Sequence, residues 1–218
     1  MLLASEWRIE TTKILTRGEI AVVLSELRRK AVRSPNTRMN LVIFRLACCL
    51  GLRASEISGL RLGDVRVGIA RPHVVIRPTI AKGGRGRMVP LWWDQGTLDD
   101  IAAWVATRRA QGARNGEQVI GSLQAKRFGQ SLSRHVLRRR FRTACRCLGS
   151  TRLTHLTIHH GRHTFISHAL AGGRTLAEVR DAAGHSNVSV TSCYLHLAVD
   201  DDGRLGDLFC PCNGKSDN

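Results

Sequence analysis

The chain is poor in several features, and each shortage excludes a class of protein. Its 218 residues include one tyrosine, and 17 acidic residues stand against 34 lysines and arginines. No stretch approaches the roughly 18 consecutive apolar residues that a transmembrane helix needs. The start MLLASEWRIE lacks the basic and apolar regions of a signal peptide. No CxxC pair occurs among the seven cysteines, so we expect reduced thiols in a cytoplasmic protein.

The scarcity of acidic residues leaves a formal net charge of +17. A charge of this size favours a polyanionic partner, with duplex nucleic acid expected first and an anionic membrane surface second. Arginine outnumbers lysine by 29 to 5. Its planar guanidinium can donate two parallel hydrogen bonds to a phosphate, which suits a nucleic-acid partner.

The apolar periodicity predicts a mainly helical α+β domain with a small antiparallel sheet. Capping boxes begin helices at Thr16 and Thr175, each with a glutamate three residues later. β-Branched runs on either side of the turn KGGRGR predict a hairpin, and the segment 65–68 predicts a third strand. The predicted helices span about 17–32, 38–50, 97–109, 131–148 and 160–171, with a short helix that ends near Leu60 and another that runs from Thr175 to a stop at Gly184. The hairpin strands span about 73–80 and 86–91.

One predicted helix carries a row of arginines. Arg134, Arg138 and Arg142 recur every four residues, with Arg139 beside them, opposite an apolar stripe. Like charges at this spacing repel, so an anion along this face would stabilise the helix. We expect contacts with the DNA backbone or major groove here, and the alternative is a merely solvated face.

The segment from His159 to His196 holds the only tyrosine, Tyr194, and six of the nine histidines. A phenol close to cations and imidazoles is a candidate nucleophile for a phosphodiester. Two alternatives are a tyrosine of the core and a zinc site. The zinc site would use the histidines at 155, 159 and 163, but this region lacks acidic residues and the HExxH pattern.

Two further candidates lie far from this segment in sequence. Arg53 follows a buried helix and a glycine, and burying a guanidinium there is costly unless it is paired or functional. Its alternative role is an ion pair with Glu56. Lys82 lies in the hairpin turn, where a lysine often only protects a sheet edge from aggregation.

Four motifs in order resemble the catalytic domain of the tyrosine recombinase, or phage integrase, family. They are GLRASEISGL, TIAKGGRGRMVPL, HHGRHTF and AGHSNVSVTSCYLH. The resemblance covers residues 15–199, with residues 1–14 as a linker or tail and 200–218 as a C-terminal tail. Gly161 and Ala183 replace leucines that are usual in the family, so we expect a looser or repacked core around them. The catalytic residues that the resemblance implies are Arg53, Lys82, His159, Arg162, His185 and Tyr194, with Glu56 supporting Arg53.

The resemblance implies a site-specific recombinase or integrase that cleaves and rejoins DNA through a 3′-phosphotyrosyl intermediate, without metal or other cofactor. Tyr194 would be the nucleophile, His159 the base and Lys82 the acid for the leaving oxygen. The arginine pair and His185 would bind the phosphate. The implied partners are duplex DNA and further copies of the chain, as a tetramer. The usual N-terminal core-binding domain has no counterpart, so a partner could supply that clamp. Alternatives are a type IB topoisomerase-like enzyme and a catalytically idle DNA-binding relic.

Overall fold

The computed structural model describes residues 11–195, so His196 and the predicted tail 200–218 lie outside the described part. Nine α-helices occur within this range, and the prediction of a mainly helical α+β fold is confirmed. The helices are α1 Arg17–Ala31, α2 Pro35–Phe44, α3 Ala54–Gly59, α4 Gln95–Ala110, α5 Arg134–Ala144, α6 Ser150–His155, α7 Ile158–Ala171, α8 Leu176–Ala183 and α9 Val188–Ser192.

A three-stranded antiparallel sheet forms between α3 and α4. Its strands are β1 Val65–Arg66, β2 His73–Ile76 and β3 Arg87–Pro90, in the order β1-β2-β3. Val74 pairs with Val89, and both are fully buried, so one face of the hairpin packs on the core. The strands are shorter than predicted. Pro78 has no N–H to donate, which ends the ladder soon after Ile76.

Both predicted capping boxes are confirmed. The Thr16 hydroxyl accepts a hydrogen bond from the Glu19 amide at 3.1 Å, and the Glu19 carboxylate accepts one from the Thr16 amide at 2.9 Å. Thr175 and Glu178 make the same reciprocal pair at the start of α8, at 3.3 and 2.8 Å. Each box satisfies two backbone donors that a helix start would otherwise leave without partners.

The second helix differs most from its prediction. It begins at Pro35, with the Ser34 hydroxyl accepting from the Thr37 amide, and continues as one π-helical turn over Arg45–Cys49. Arg45 is fully buried in this turn and donates to Asp94 and Asp100 at 3.2 and 2.8 Å. Paired in this way, the cation can lie inside the protein and join the turn to α4.

Helix α7 packs directly on this π-helical turn. A Cβ atom added to Gly161 would lie 2.9 Å from the carbonyl carbon of Ala47 and 3.0 Å from its oxygen. Backbone atoms cannot give way as a flexible side chain can, so the absence of a side chain at Gly161 sets how closely the two helices approach. Any side chain at position 161 would therefore push α7 away from the π-helical turn.

Helix α6 is a short element that the sequence pattern did not predict.

Phe44 and Phe141 stack at 6.1 Å between ring centroids and join α2 to α5. Within residues 11–195 no helix is both long enough and apolar enough to cross a membrane.

Replacing Gly161 with alanine should lower the free energy of unfolding by about 1–3 kcal/mol, because the methyl group overlaps the Ala47 backbone. Urea denaturation measures this change. The matched control is Gly18→Ala in α1, where the added Cβ meets only the Thr16 hydroxyl at 3.9 Å. That control should keep or gain stability, and an equal loss in both variants would contradict the packing argument.

Candidate active site

Arg53 lies at the start of α3 and is bound to Glu56. Its backbone amide donates to Glu56 Oε2 at 2.8 Å, and its Nη1 donates to Oε1 at 3.1 Å. The turn before it uses Gly51 at φ +63°, where an added Cβ would collide with the Phe165 ring. The ion pair considered as an alternative role is therefore present, and it fixes the backbone and the guanidinium of Arg53 together.

The carboxylate of Glu56 also binds Arg87, the first residue of β3. Arg87 Nη1 and Nη2 donate to Oε1 and Oε2 at 2.8 and 2.9 Å, and Glu56 is fully buried. Burial acts to raise the pKa of Glu56, but the hydrogen bonds and charge of Arg87, with the contacts from Arg53, outweigh it and lower the pKa. Glu56 is therefore held as a carboxylate between two guanidinium groups.

Arg162 lies in α7 and is almost buried, at 9% exposure. Its Nη1 donates to the Gly51 carbonyl at 2.9 Å, and its Nη2 donates to the Ala183 carbonyl at the end of α8. Burial, followed by the charges of Arg53 and Arg87, lowers the pKa of Arg162 to about 9. The side chain remains a cation at neutral pH, in a cluster rich in positive charge.

His185 follows the end of α8. The helix ends at Gly184, where the sequence predicts its stop, and the structure shows this glycine in the left-handed conformation. The Nδ1 atom of His185 lies 2.9 Å from the Thr191 hydroxyl. Burial, and then the charges of Arg162, Arg53 and Arg87, lower the pKa of His185 to about 4. The structure thus brings His185 into the field of the arginine cluster.

Tyr194 is buried at 4% exposure, and its hydroxyl contacts His163. His163 Nδ1 lies 2.6 Å from the tyrosine oxygen, and the ring centroids lie 5.8 Å apart. Burial raises the pKa of Tyr194 to about 12, although the charge of Arg162 acts to lower it. Burial, followed by His160 and Arg162, lowers the pKa of His163 to about 4. Both groups are therefore neutral at pH 7.

His159 lies one helical turn before His163 and is exposed. Partial burial and the charges of Arg138, Arg162 and Arg53 lower its pKa, so the imidazole stands neutral among three guanidinium groups. The structure places His159 at the arginine cluster, but the described contact with the Tyr194 hydroxyl comes from His163.

Lys82 is the predicted residue that the structure leaves apart. It is exposed at the first position of the turn Lys82–Gly84, between β2 and β3. Within residues 11–195 it makes no hydrogen bond or ion pair. Gly83 and Gly84 both have positive φ, at 72° and 69°, as the tight turn requires.

The arginines of α5 form an exposed face beside the cluster. Arg138 is close enough to His159 to lower its pKa. The opposite side of the helix buries Leu137, Phe141 and Ala144. In the described part of the chain, the side chains of the predicted DNA-binding residues are exposed and make no hydrogen bond or ion pair. These residues are Arg134, Arg138, Arg139 and Arg142.

Sequence reasoning left His163 undecided and missed Arg87. The signal for His163 was its place one turn after His159 and directly beside Arg162. Neighbouring residues give no indication of the role of Arg87, because its partners Glu56 and Ala182 lie 31 and 95 residues away in sequence. In residues 11–195 no three histidine, cysteine, aspartate or glutamate side chains are grouped to hold a metal ion, so the proposed zinc alternative has no assembled ligand set there.

The model of the phage integrase family matches residues 13–200, and the chain belongs to that family. Tyrosine recombinase XerC of Rhodospirillum centenum is 34% identical over 152 residues, covering 70% of this chain and 40% of the relative. XerC of Neisseria gonorrhoeae is 32% identical over 175 residues, covering 80% of this chain and 52% of the relative. The chain spans about half the length of the curated relatives it matches.

Solved structures share the fold at low sequence identity. A crystal structure of XerA recombinase has a TM-score of 0.67 at 17% identity, over 90% of this chain and 61% of that chain. XerH recombinase bound to palindromic difH substrate in a post-cleavage complex gives 0.65 at 18% identity, over 87% and 51%. These matches support the integrase catalytic-domain fold that the motifs predicted.

The low pKa of His163 predicts a loss of stability in acid. Its folded-state pKa of about 4 lies below the ordinary 6.5, so the unfolded chain binds more protons between these values. The contribution of neutral His163 to the free energy of unfolding is fully present above pH 6.5 and is lost as the pH falls towards 4. Relative to His163→Asn, the wild type should therefore lose stability across this window.

Urea denaturation at a series of pH values measures the difference between the two proteins. Parallel profiles for the wild type and His163→Asn would contradict the buried, neutral state of His163.

Proposed function

We propose that this chain is a tyrosine-type site-specific recombinase or integrase that cleaves and rejoins DNA strands through Tyr194. The observation that supports this most is the cationic cluster around Arg162. Arg53, Arg87 and Arg162 lie close enough to influence one another. In the described part of the chain Glu56 is the carboxylate that bonds to Arg53 and Arg87, while Arg162 bonds only to backbone carbonyls. The surplus positive charge, partly buried, favours an anion such as a phosphodiester.

In this proposal the scissile phosphate binds Arg53 and Arg162, with His185 donating a third hydrogen bond. Guanidinium groups form charge-assisted hydrogen bonds with non-bridging oxygens, and these strengthen as charge develops in the pentavalent transition state. A preorganised donor of this kind contributes about 3–4 kcal/mol to the barrier reduction. The anion would also relieve the repulsion among the guanidinium groups.

Tyr194 then attacks phosphorus, forming the 3′-phosphotyrosyl bond as the bond to the 5′ oxygen breaks. The buried hydroxyl must first leave His163, so we assign His163 the role of holding the nucleophile before DNA binds. His159, neutral beside the arginines, accepts the phenolic proton, and Lys82 protonates the leaving oxygen from the exposed hairpin turn. Attack by a 5′ hydroxyl reverses these steps, and because the phosphoester is conserved the cycle needs no ATP.

The partner in this proposal is duplex DNA, bound along the α5 face of Arg134, Arg138, Arg139 and Arg142. Neutralising backbone phosphates with exposed arginines releases counterions and supplies sequence-independent affinity. Recombination exchanges strands between two duplexes, which fits the proposed tetramer of this chain on DNA. In this proposal the reaction takes place in the cytoplasm.

Two observations favour a DNA-binding module as the second candidate function. The hydroxyl of Tyr194 is buried, and Lys82 has no contact with the cluster in the described residues. A chain that stayed in this arrangement on DNA would bind without cleaving. A type IB topoisomerase-like enzyme would share the chemistry but would not exchange strands between duplexes.

A nicked duplex carrying the cognate site tests the proposal. The short strand released by cleavage diffuses away, so its 5′ hydroxyl cannot reverse the reaction and the covalent intermediate accumulates. The wild type should form a covalent adduct that survives denaturation, and Tyr194→Phe should form none while still retarding the duplex. Retardation without an adduct would favour the binding module. An equal adduct from Tyr194→Phe would overturn the assignment of the nucleophile. Strand exchange between two labelled duplexes separates recombinase from topoisomerase.

A further inference from the structure

We propose that Arg87 is a positioning residue that aligns the phosphate-binding groups of this site. The inference rests on the proposed function, since it assigns Arg87 a role in the same reaction. Arg87 is not one of the residues to which the motifs assign a catalytic role. All three nitrogens of its guanidinium group already donate to Glu56 or to the Ala182 carbonyl, so we assign it a role through other residues and not a contact with the substrate.

The first observation is that Arg87 shares one carboxylate with Arg53. Glu56 Oε1 accepts from Arg87 at 2.8 Å and from Arg53 at 3.1 Å, while Oε2 accepts from Arg87 and from the Arg53 amide. In the described residues, the Arg53 guanidinium forms its hydrogen bond and ion pair with Glu56 alone, so its orientation depends on that carboxylate. Arg87 fixes the plane of that carboxylate with two parallel bonds, which a single-point donor could not do.

The second observation is that Arg87 also holds the end of α8. Its Nε donates to the Ala182 carbonyl at 2.8 Å, and Arg162 donates to the next carbonyl, that of Ala183. These are terminal carbonyls, at the negative end of the helix dipole, that the helix itself leaves without partners. The two arginines thus bind the end of α8 and fix the position of the turn that carries His185.

The third observation is the close packing of Arg87 on Gly184. An added Cβ at Gly184 would lie 2.8 Å from Arg87 Cδ and 3.0 Å from its Nε. The glycine therefore provides both the left-handed turn before His185 and the space that the Arg87 side chain occupies. One side chain joins the hairpin, the start of α3 and the turn that carries His185.

A lysine at this position would keep the charge but lose the geometry. An ammonium group can approach Glu56 or Ala182 as a point charge, but it has no planar fork to bond both carboxylate oxygens and the carbonyl in fixed directions. Arg87→Lys should therefore leave Arg53 poorly oriented while the net charge of the cluster is unchanged.

Single-turnover cleavage of the nicked duplex tests this role. Arg87→Lys should cleave on the order of 10²-fold more slowly than the wild type, the scale of losing one aligned donor in the transition state, with DNA affinity unchanged. The matched control is Arg85→Lys, on the same hairpin but exposed and without a described partner. Thermal unfolding of each variant shows that the fold persists.

A substrate with sulfur as the 5′ bridging atom separates positioning of the phosphate from protonation of the leaving group. A thiolate leaves without a proton, so this substrate should restore cleavage by Lys82→Met. It should not restore cleavage by Arg87→Lys or by Arg53→Lys, because these variants misplace the groups that bind the phosphate. Restoration of Arg87→Lys, or cleavage equal to that of Arg85→Lys, would overturn the proposal.

A second measurement keeps the test independent of cleavage. The charge of Arg87 helps to lower the pKa of His185, so Arg87→Met should raise that pKa in an NMR titration, and Arg85→Met should leave it unchanged. An unchanged pKa in Arg87→Met would overturn the placement of Arg87. If the wild type forms no adduct but the pKa of His185 changes as expected, the proposed reaction is overturned. The placement of Arg87 beside His185 would then still stand.

Discussion

The arrangement of this site depends on one buried carboxylate. Glu56 is fully enclosed and accepts hydrogen bonds from the guanidinium groups of both Arg53 and Arg87. A carboxylate buried without partners would be protonated or would disrupt the fold, so both arginines are needed to keep it charged. Their positions are in turn fixed by it. Because Arg87 also binds the end of α8, the same carboxylate links two segments that lie more than a hundred residues apart in sequence.

Close backbone approaches at three glycines make this arrangement possible. Gly51 admits the Phe165 ring, Gly161 admits the Ala47 carbonyl, and Gly184 admits the side chain of Arg87. Each contact would be blocked by a Cβ atom. The glycine at 161 therefore allows α7 to lie directly against the π-helical turn. Arg162, the next residue of α7, lies within reach of the Gly51 and Ala183 carbonyls.

Local sequence signals predicted most of the fold but only part of the site. The capping boxes at Thr16 and Thr175, the hairpin and the stop at Gly184 depend on neighbouring residues, and the structure confirms them. The π-helical turn after α2 was missed, since it depends on the distant partners of Arg45. The pairing of Tyr194 with His163 was missed for the same reason, because it joins α7 to a residue 31 positions later.

In the proposed reaction the scissile phosphate occupies the cationic cluster and draws Tyr194 away from His163. A crystal structure of the chain with cognate duplex DNA and vanadate in place of the scissile phosphate tests it most directly. We predict vanadate oxygens bound by Arg53 and Arg162, with the Tyr194 oxygen at an apical position and its contact with His163 broken. Vanadate bound away from these arginines, with Tyr194 still paired to His163, would contradict the account.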